Sequence, residues 1–92
     1  MFVLRIQHAV PDYEGWKRAF DRDPLDRKGS KVRAHRVYRG TDDPNLVFID
    51  LEFDTLADAA NMLARLRALW AGPGGAVMRN PEATIVEHAD AG

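Results

Sequence analysis

Two histidines and one carboxylate, His8, His35 and Asp50, are the side chains of this chain best suited to moving a proton. A free imidazole has a pKa of about 6.5, so near neutral pH it can act as a base. His8 closes an alternating stretch just before a Pro-Asp break. It can serve there as a base or simply tie the turn by a hydrogen bond. His35 and Asp50 lie on two β-prone runs joined by a short turn. A hairpin register pairing His35 with Asp50, Arg33 with Glu52 and Val37 with Phe48 sets a carboxylate beside an imidazole. Such a neighbour fixes the tautomer and raises the basicity. The same register also reads as a cross-strand charge ladder with no catalytic part.

The candidates for binding a molecule are aromatic and basic. Tyr13, Trp16 and Phe20 recur at helical spacing, which makes one apolar stripe. Such a stripe ordinarily packs a core. Tyr38, Phe48 and Arg36 are further candidate contacts. Arg5, Arg36 and Arg79 suit an anionic group, although surface arginines are ordinarily solvated. The loop Gly72-Pro73-Gly74-Gly75 lacks the Lys-Ser/Thr ending of a phosphate cradle and reads as a helix stop or lid. There is no cysteine, and Ser30 is the single serine, on an expected loop. No nucleophile therefore has a recognisable setting. A metal needs three or four converging ligands. His8 and His88 are expected at opposite ends of neighbouring strands, so neither a metal nor a cofactor is expected.

These residues are carried by six expected elements. Residues 2–8 alternate and read as a strand. Asp12 is the expected N-cap of a helix that Pro24 ends or kinks, with Glu14 in its first turn. Residues 26–30 read as a loop and 31–39 as a second strand. Gly40 to Pro44 is a turn, and residues 46–53 form the most β-prone run. Thr55 and Asp58 open a second helix whose expected face is Leu56, Ala59, Ala60, Leu63, Leu66 and Trp70. Residues 76–81 are ambiguous, 83–88 read as the last strand, and 89–92 as a tail. The order β-α-β-β-α-β is the ferredoxin-like α+β arrangement, a four-stranded antiparallel sheet in the order 4-1-3-2 with two helices on one face. Val47, Ile49, Leu51 and Phe53 are expected beneath the helices, with Leu46 and Phe48 on the uncovered face.

Ninety-two residues suffice for one domain, spanning 1–92. A domain of this size buries a modest core and gains from self-association, and disulfides are not available to it. The 13 basic and 14 acidic side chains give a net charge of −1 with the signs mixed, which provides no footprint for nucleic acid or a membrane surface. No run approaches the length of a membrane span. The first ten residues do not have the pattern of a signal peptide, so the expected compartment is the cytoplasm.

Several segments resemble one family. Val10-x-Asp12-Tyr13-x-x-Trp16-Lys17-x-x-Phe20-Asp21, with His8 before it, is similar to the opening of the small dimeric α+β barrel proteins. These are uncharacterised or cyclase-like relatives of the antibiotic biosynthesis monooxygenases. His35-Arg36-Val37-x-Arg39, Asp42-Asp43-Pro44-Asn45, Leu51-Glu52-Phe53-Asp54 and Pro81-Glu82 resemble their later segments. The resemblance implies a homodimer joined through the sheet face and a pocket between sheet and helices, with Trp16 as a wall and Tyr38 able to add a phenol. It implies a cofactor-independent enzyme, monooxygenase-like or cyclase-like, acting on a hydrophobic small molecule. The alternative is a non-catalytic dimeric module that binds a small molecule or another protein. No haem-ligand motif and no full oxygenase residue set matches this chain.

Overall fold

The computed structural model describes residues 1–72 and 79–92, with the side chains of Arg79 and Asn80 outside the description. The elements follow the expected order: β1 (Phe2–Ala9), α1 (Tyr13–Asp21), β2 (Ala34–Arg39), β3 (Leu46–Phe53), α2 (Leu56–Ala71) and β4 (Arg79–Glu87). The strands form one antiparallel sheet in the order β2-β3-β1-β4, the expected arrangement read from its other edge.

Both helices start where a short polar side chain can receive a free N–H. Asp12 Oδ2 accepts from the Gly15 N–H at 2.9 Å, and Thr55 Oγ1 accepts from the Asp58 N–H at 3.1 Å. α1 stops at Asp21, three residues before Pro24, and Asp23 takes a left-handed φ of 56° as the chain turns away. Gly72 closes α2 by donating to Leu69 O at 3.1 Å. The rest of the expected Gly72–Gly75 stop and residues 76–78 of the ambiguous stretch lie outside the described residues.

Alternation divides the sheet into two faces. Leu4, Ile6 and His8 of β1 and Val47, Ile49, Leu51 and Phe53 of β3 point under the helices, all of them buried. Trp16 of α1 and Ala59, Met62 and Leu66 of α2 complete this core. Burying each large apolar side chain stabilises the fold by about 1.5–3 kcal/mol. The α2 stripe is rotated from the expected one. Met62 is buried, whereas Leu56 is 55% exposed and Ala60 is exposed. Leu56 is the first residue of the helix.

The β2–β3 register differs from the expected one by one residue. His35 lies opposite Leu51, Arg36 opposite Asp50, Val37 opposite Ile49 and Tyr38 opposite Phe48. A one-residue slip reverses which face every β2 side chain occupies. The observed register turns Val37 toward the core, where it packs as a partly buried apolar residue, and turns Arg36 and Tyr38 outward. It also still sets charges of opposite sign together, because Arg36 bonds the Glu52 carboxylate. The turn fixes this count: Gly40 N–H donates to Leu46 O at 2.9 Å. A Cβ on Gly40 would lie 2.7 Å from Asp43 O, so this tight turn needs glycine.

Candidate functional site

A cavity of about 330 Å³ lies between the covered face of the sheet and the two helices. Its walls are apolar: Trp16 and Phe20 from α1, Ile49 and Leu51 from β3, and Met62 and Trp70 from α2. The α1 aromatic stripe therefore builds a wall as well as a core. Trp16 stacks on Phe20 with ring centroids 5.2 Å apart.

Among the described residues, His8 is the titratable side chain set deep in this wall; it is 2% exposed. Its Nδ1 is buried and has no hydrogen-bond partner among the described residues. Burial pushes the imidazole pKa below its ordinary value of 6.5, and the backbone of Ala9 offsets this in part. The shift favours the neutral form of the ring. A kink in the neighbouring strand sits directly beside it. β1 pairs with β4 at Gln7–Glu82 and at Ala9–Arg79, so His8 alone spans the two residues Asn80 and Pro81. Pro81 has no N–H to give to the ladder, which favours a bulge there.

One wall of the cavity is the connection between α1 and β2. Asp23, Pro24, Leu25 and Arg27 line it. Arg27 lies over the Phe20 ring at 4.1 Å, donates to Phe20 O at 2.9 Å and faces Asp23 at 3.4 Å. Arg65 on α2 donates to Leu25 O at 2.9 Å and to the Ser30 hydroxyl. The loop is thus tied to both helices.

The expected site residues do not meet in one place. His8 and Trp16 share the cavity. Tyr13 packs on Trp16 at 6.0 Å beneath Arg39, outside the lining. His35 is exposed and meets the edge of Phe20 at 5.5 Å, also outside the lining. Asp50 is on the opposite face of the sheet, so the His35–Asp50 pair does not form. The Arg33 N–H donates to Glu52 O at 2.8 Å, but the expected side-chain charge pair of Arg33 with Glu52 is replaced: the Arg33 guanidinium lies 3.5 Å from Asp54. Tyr38 is 50% exposed on the uncovered face and contributes no phenol to the cavity.

The uncovered face holds a shallow groove of about 480 Å³ between Arg5, Tyr38, Phe48, Asp50, Glu82 and Thr84. Arg5 grips the Asp50 carboxylate with two contacts of 3.2 Å, and Arg36 bonds Glu52. Both arginines already hold a carboxylate, which leaves them poorly placed to bind an anionic ligand. Among the described residues no three His, Asp or Glu side chains converge as metal ligands. The sequence reading did not single out Arg27, Arg65 or Met62 for the site. The two arginines carry no periodic signal, since their roles depend on how the loop folds back. Trp70 reads in the sequence only as part of a helix face, and nothing in its spacing marks a buried N–H without a partner.

The chain matches no protein-family model and no curated protein in sequence. In structure it is similar to protein Rv0793 of Mycobacterium tuberculosis, with a TM-score of 0.68 at 12% identity over 99% of this chain and 98% of that one. Proteins of Deinococcus radiodurans and Nitrosomonas europaea, both provisionally named antibiotic biosynthesis monooxygenases, are also similar. The first has a TM-score of 0.62 at 14% identity, covering 99% of this chain and 95% of its own. The second has a TM-score of 0.63 at 16% identity, covering 96% of this chain and 98% of its own. The fold is therefore the ferredoxin-like α+β fold that these structures share. Fold alone does not carry an activity from one protein to another.

Proposed function

We propose that this chain binds a hydrophobic, aromatic small molecule between sheet and helices, and that neutral His8 takes a proton from it. One observation carries the reading: a buried imidazole whose Nδ1 has no partner lines a largely apolar cavity. Leaving such an atom unpaired costs about 1–3 kcal/mol, a cost that a ligand's O–H or acidic C–H relieves. Proton removal is the first step shared by cofactor-independent oxygenation and by cyclisation, the chemistries suggested by the resemblance and the fold neighbours. The test is deuterium uptake at the α-carbon of 2-tetralone in D2O, followed by NMR. Wild-type protein should accelerate the exchange and His8→Gln should not. Equal exchange by both proteins would remove His8 as the base.

A second reading, a binding module without catalysis, is favoured by a different observation. No carboxylate orients His8 among the described residues, as one does in most histidine general bases. Saturable 2-tetralone binding without exchange would select it. Either way the proposed working form is a homodimer joined through the uncovered face, with no metal, cofactor, nucleic acid or membrane partner, in the cytoplasm. The partly buried Phe48 and Leu46 and the paired charges on that face support the dimer. Among the described residues no helix is long and apolar enough to cross a membrane.

A further inference from the structure

Most walls of the cavity cannot part without breaking the core. β1 and β3 are interior strands, each laddered on both sides, and the helices seat the buried Trp16, Met62 and Leu66. The loop of residues 23–31 is the exception. Its lining side chains Asp23, Leu25 and Arg27 are half-buried, Pro24 is exposed, and no residue from Arg22 to Lys31 is fully buried. The loop is bonded chiefly to itself. Asp26 N–H donates to Asp23 O at 3.1 Å and Ser30 N–H to Asp26 O at 2.8 Å. The side chains of Asp23 and Asp26 accept from the N–H groups of Arg27 and Gly29. A compact loop bonded in this way keeps its shape when it moves. Its two ends, Asp23 and Lys31, take left-handed φ values of 56° and 73°, which residues other than glycine hold against strain. Among the described residues, the hydrogen bonds between Pro24–Lys31 and another element are made by two arginines. Arg27 donates to Phe20 O, and Arg65 reaches Leu25 O and the Ser30 hydroxyl. Arg65 is exposed and leaves α2 one turn before Leu69, which lines the cavity.

We propose that residues 23–31 form a flap that swings on Asp23 and Lys31 to admit the ligand, and that Arg65 latches it shut from α2. The proposal rests on the reading of the cavity as a ligand site and concerns how that site is entered. Opening frees Arg27 from Phe20 O and from the Phe20 ring, and lifts Leu25 off the core. It uncovers less apolar surface than parting a helix from the sheet, so it costs less. The latch acts on the closed form whether the cavity is empty or filled. Loosening it raises the open fraction in both cases. Entry and exit then quicken together, and the affinity stays as it was.

The test uses N-phenyl-1-naphthylamine, a neutral aromatic amine that fluoresces in apolar surroundings. Stopped-flow mixing gives its association rate, and dilution of the complex gives its dissociation rate. Arg65→Ala should raise both rates about three- to tenfold and leave Kd unchanged. Ser30→Ala removes one acceptor of the latch and should move both rates the same way by less, which keeps the test decisive if the first variant does not fold. The exposed Arg67 of the same helix is the control, and Arg67→Ala should change neither rate. Unchanged rates in Arg65→Ala, or equal acceleration in Arg67→Ala, overturn the flap and leave the cavity as a ligand site. Faster dissociation alone, with a weaker Kd, also overturns it and makes Arg65 a support of the bound ligand's wall. Failure of the wild-type protein to bind the probe overturns the cavity reading as well.

Discussion

The His8 imidazole meets the Trp16 indole edge-on, with ring centroids 5.5 Å apart. The contact joins the end of β1 to the middle of α1 and holds the imidazole against the cavity wall. Trp16 is itself 4% exposed. Trp16→Ala should therefore destabilise the fold by about 3–5 kcal/mol, and Trp16→Phe by clearly less. Urea denaturation followed by circular dichroism gives both values, and similar losses would mean that the indole's extra area is not packed.

Stability should depend on pH through His8 with a definite sign. Its folded pKa lies below the ordinary 6.5, so the unfolded chain binds the proton more readily. Stability contributed through this group is constant above 6.5. It falls as pH drops from 6.5 toward the folded pKa, then levels off. His8→Gln removes this dependence. The stability difference between wild type and variant should therefore change between pH 7.5 and pH 5.5, to the disadvantage of wild type at the lower pH. Parallel losses in the two proteins would show that His8 takes up its proton freely when folded.

Arg65 should govern how tightly the loop wall of the cavity is held. Its bonds to Leu25 O and Ser30 Oγ are the side-chain links between α2 and that loop, and Ser30 Oγ also donates to Leu25 O at 2.7 Å. Arg65→Ala should cost global stability about 1 kcal/mol or less. It should speed amide hydrogen exchange at Asp26 and Ser30 while leaving β1 and β3 unchanged. Unaltered exchange in the loop would place its stability elsewhere.

Self-association through the uncovered face gives a fourth prediction. Phe48 stands opposite Tyr38 at the centre of that face. Phe48→Asp should lower the sedimentation coefficient from that of a dimer to that of a monomer and leave the circular dichroism spectrum unchanged. A wild-type protein that sediments as a monomer at micromolar concentration would remove the proposed dimer.

The fold was legible because strong local signals agreed with one another. The alternation in β1 and β3, the caps Asp12 and Thr55, and the turn at Gly40 left little choice of topology. The hairpin register was less legible because opposite charges meet in either alignment. The deciding residue was Val37, an apolar side chain in a polar strand that turns inward and carries His35 to the helix side with it. Half the candidate site was legible for a similar reason. His8 and Trp16 belong to periodic segments whose inward faces can be read directly. Arg27 and Arg65 act through a loop held by long-range bonds, and pattern along the chain does not encode such bonds.

The kink at Asn80 and Pro81 has a consequence far from His8. β4 is an outer strand of the sheet, and an outer strand offers free backbone groups on which another chain can be templated. Proline supplies no N–H there, and the bulge breaks the straight run such templating requires. At the other margin β2 carries the charged side chain of Arg39, the kind of residue that blunts an exposed strand. Lateral growth into fibrils is thus discouraged at both borders of the molecule.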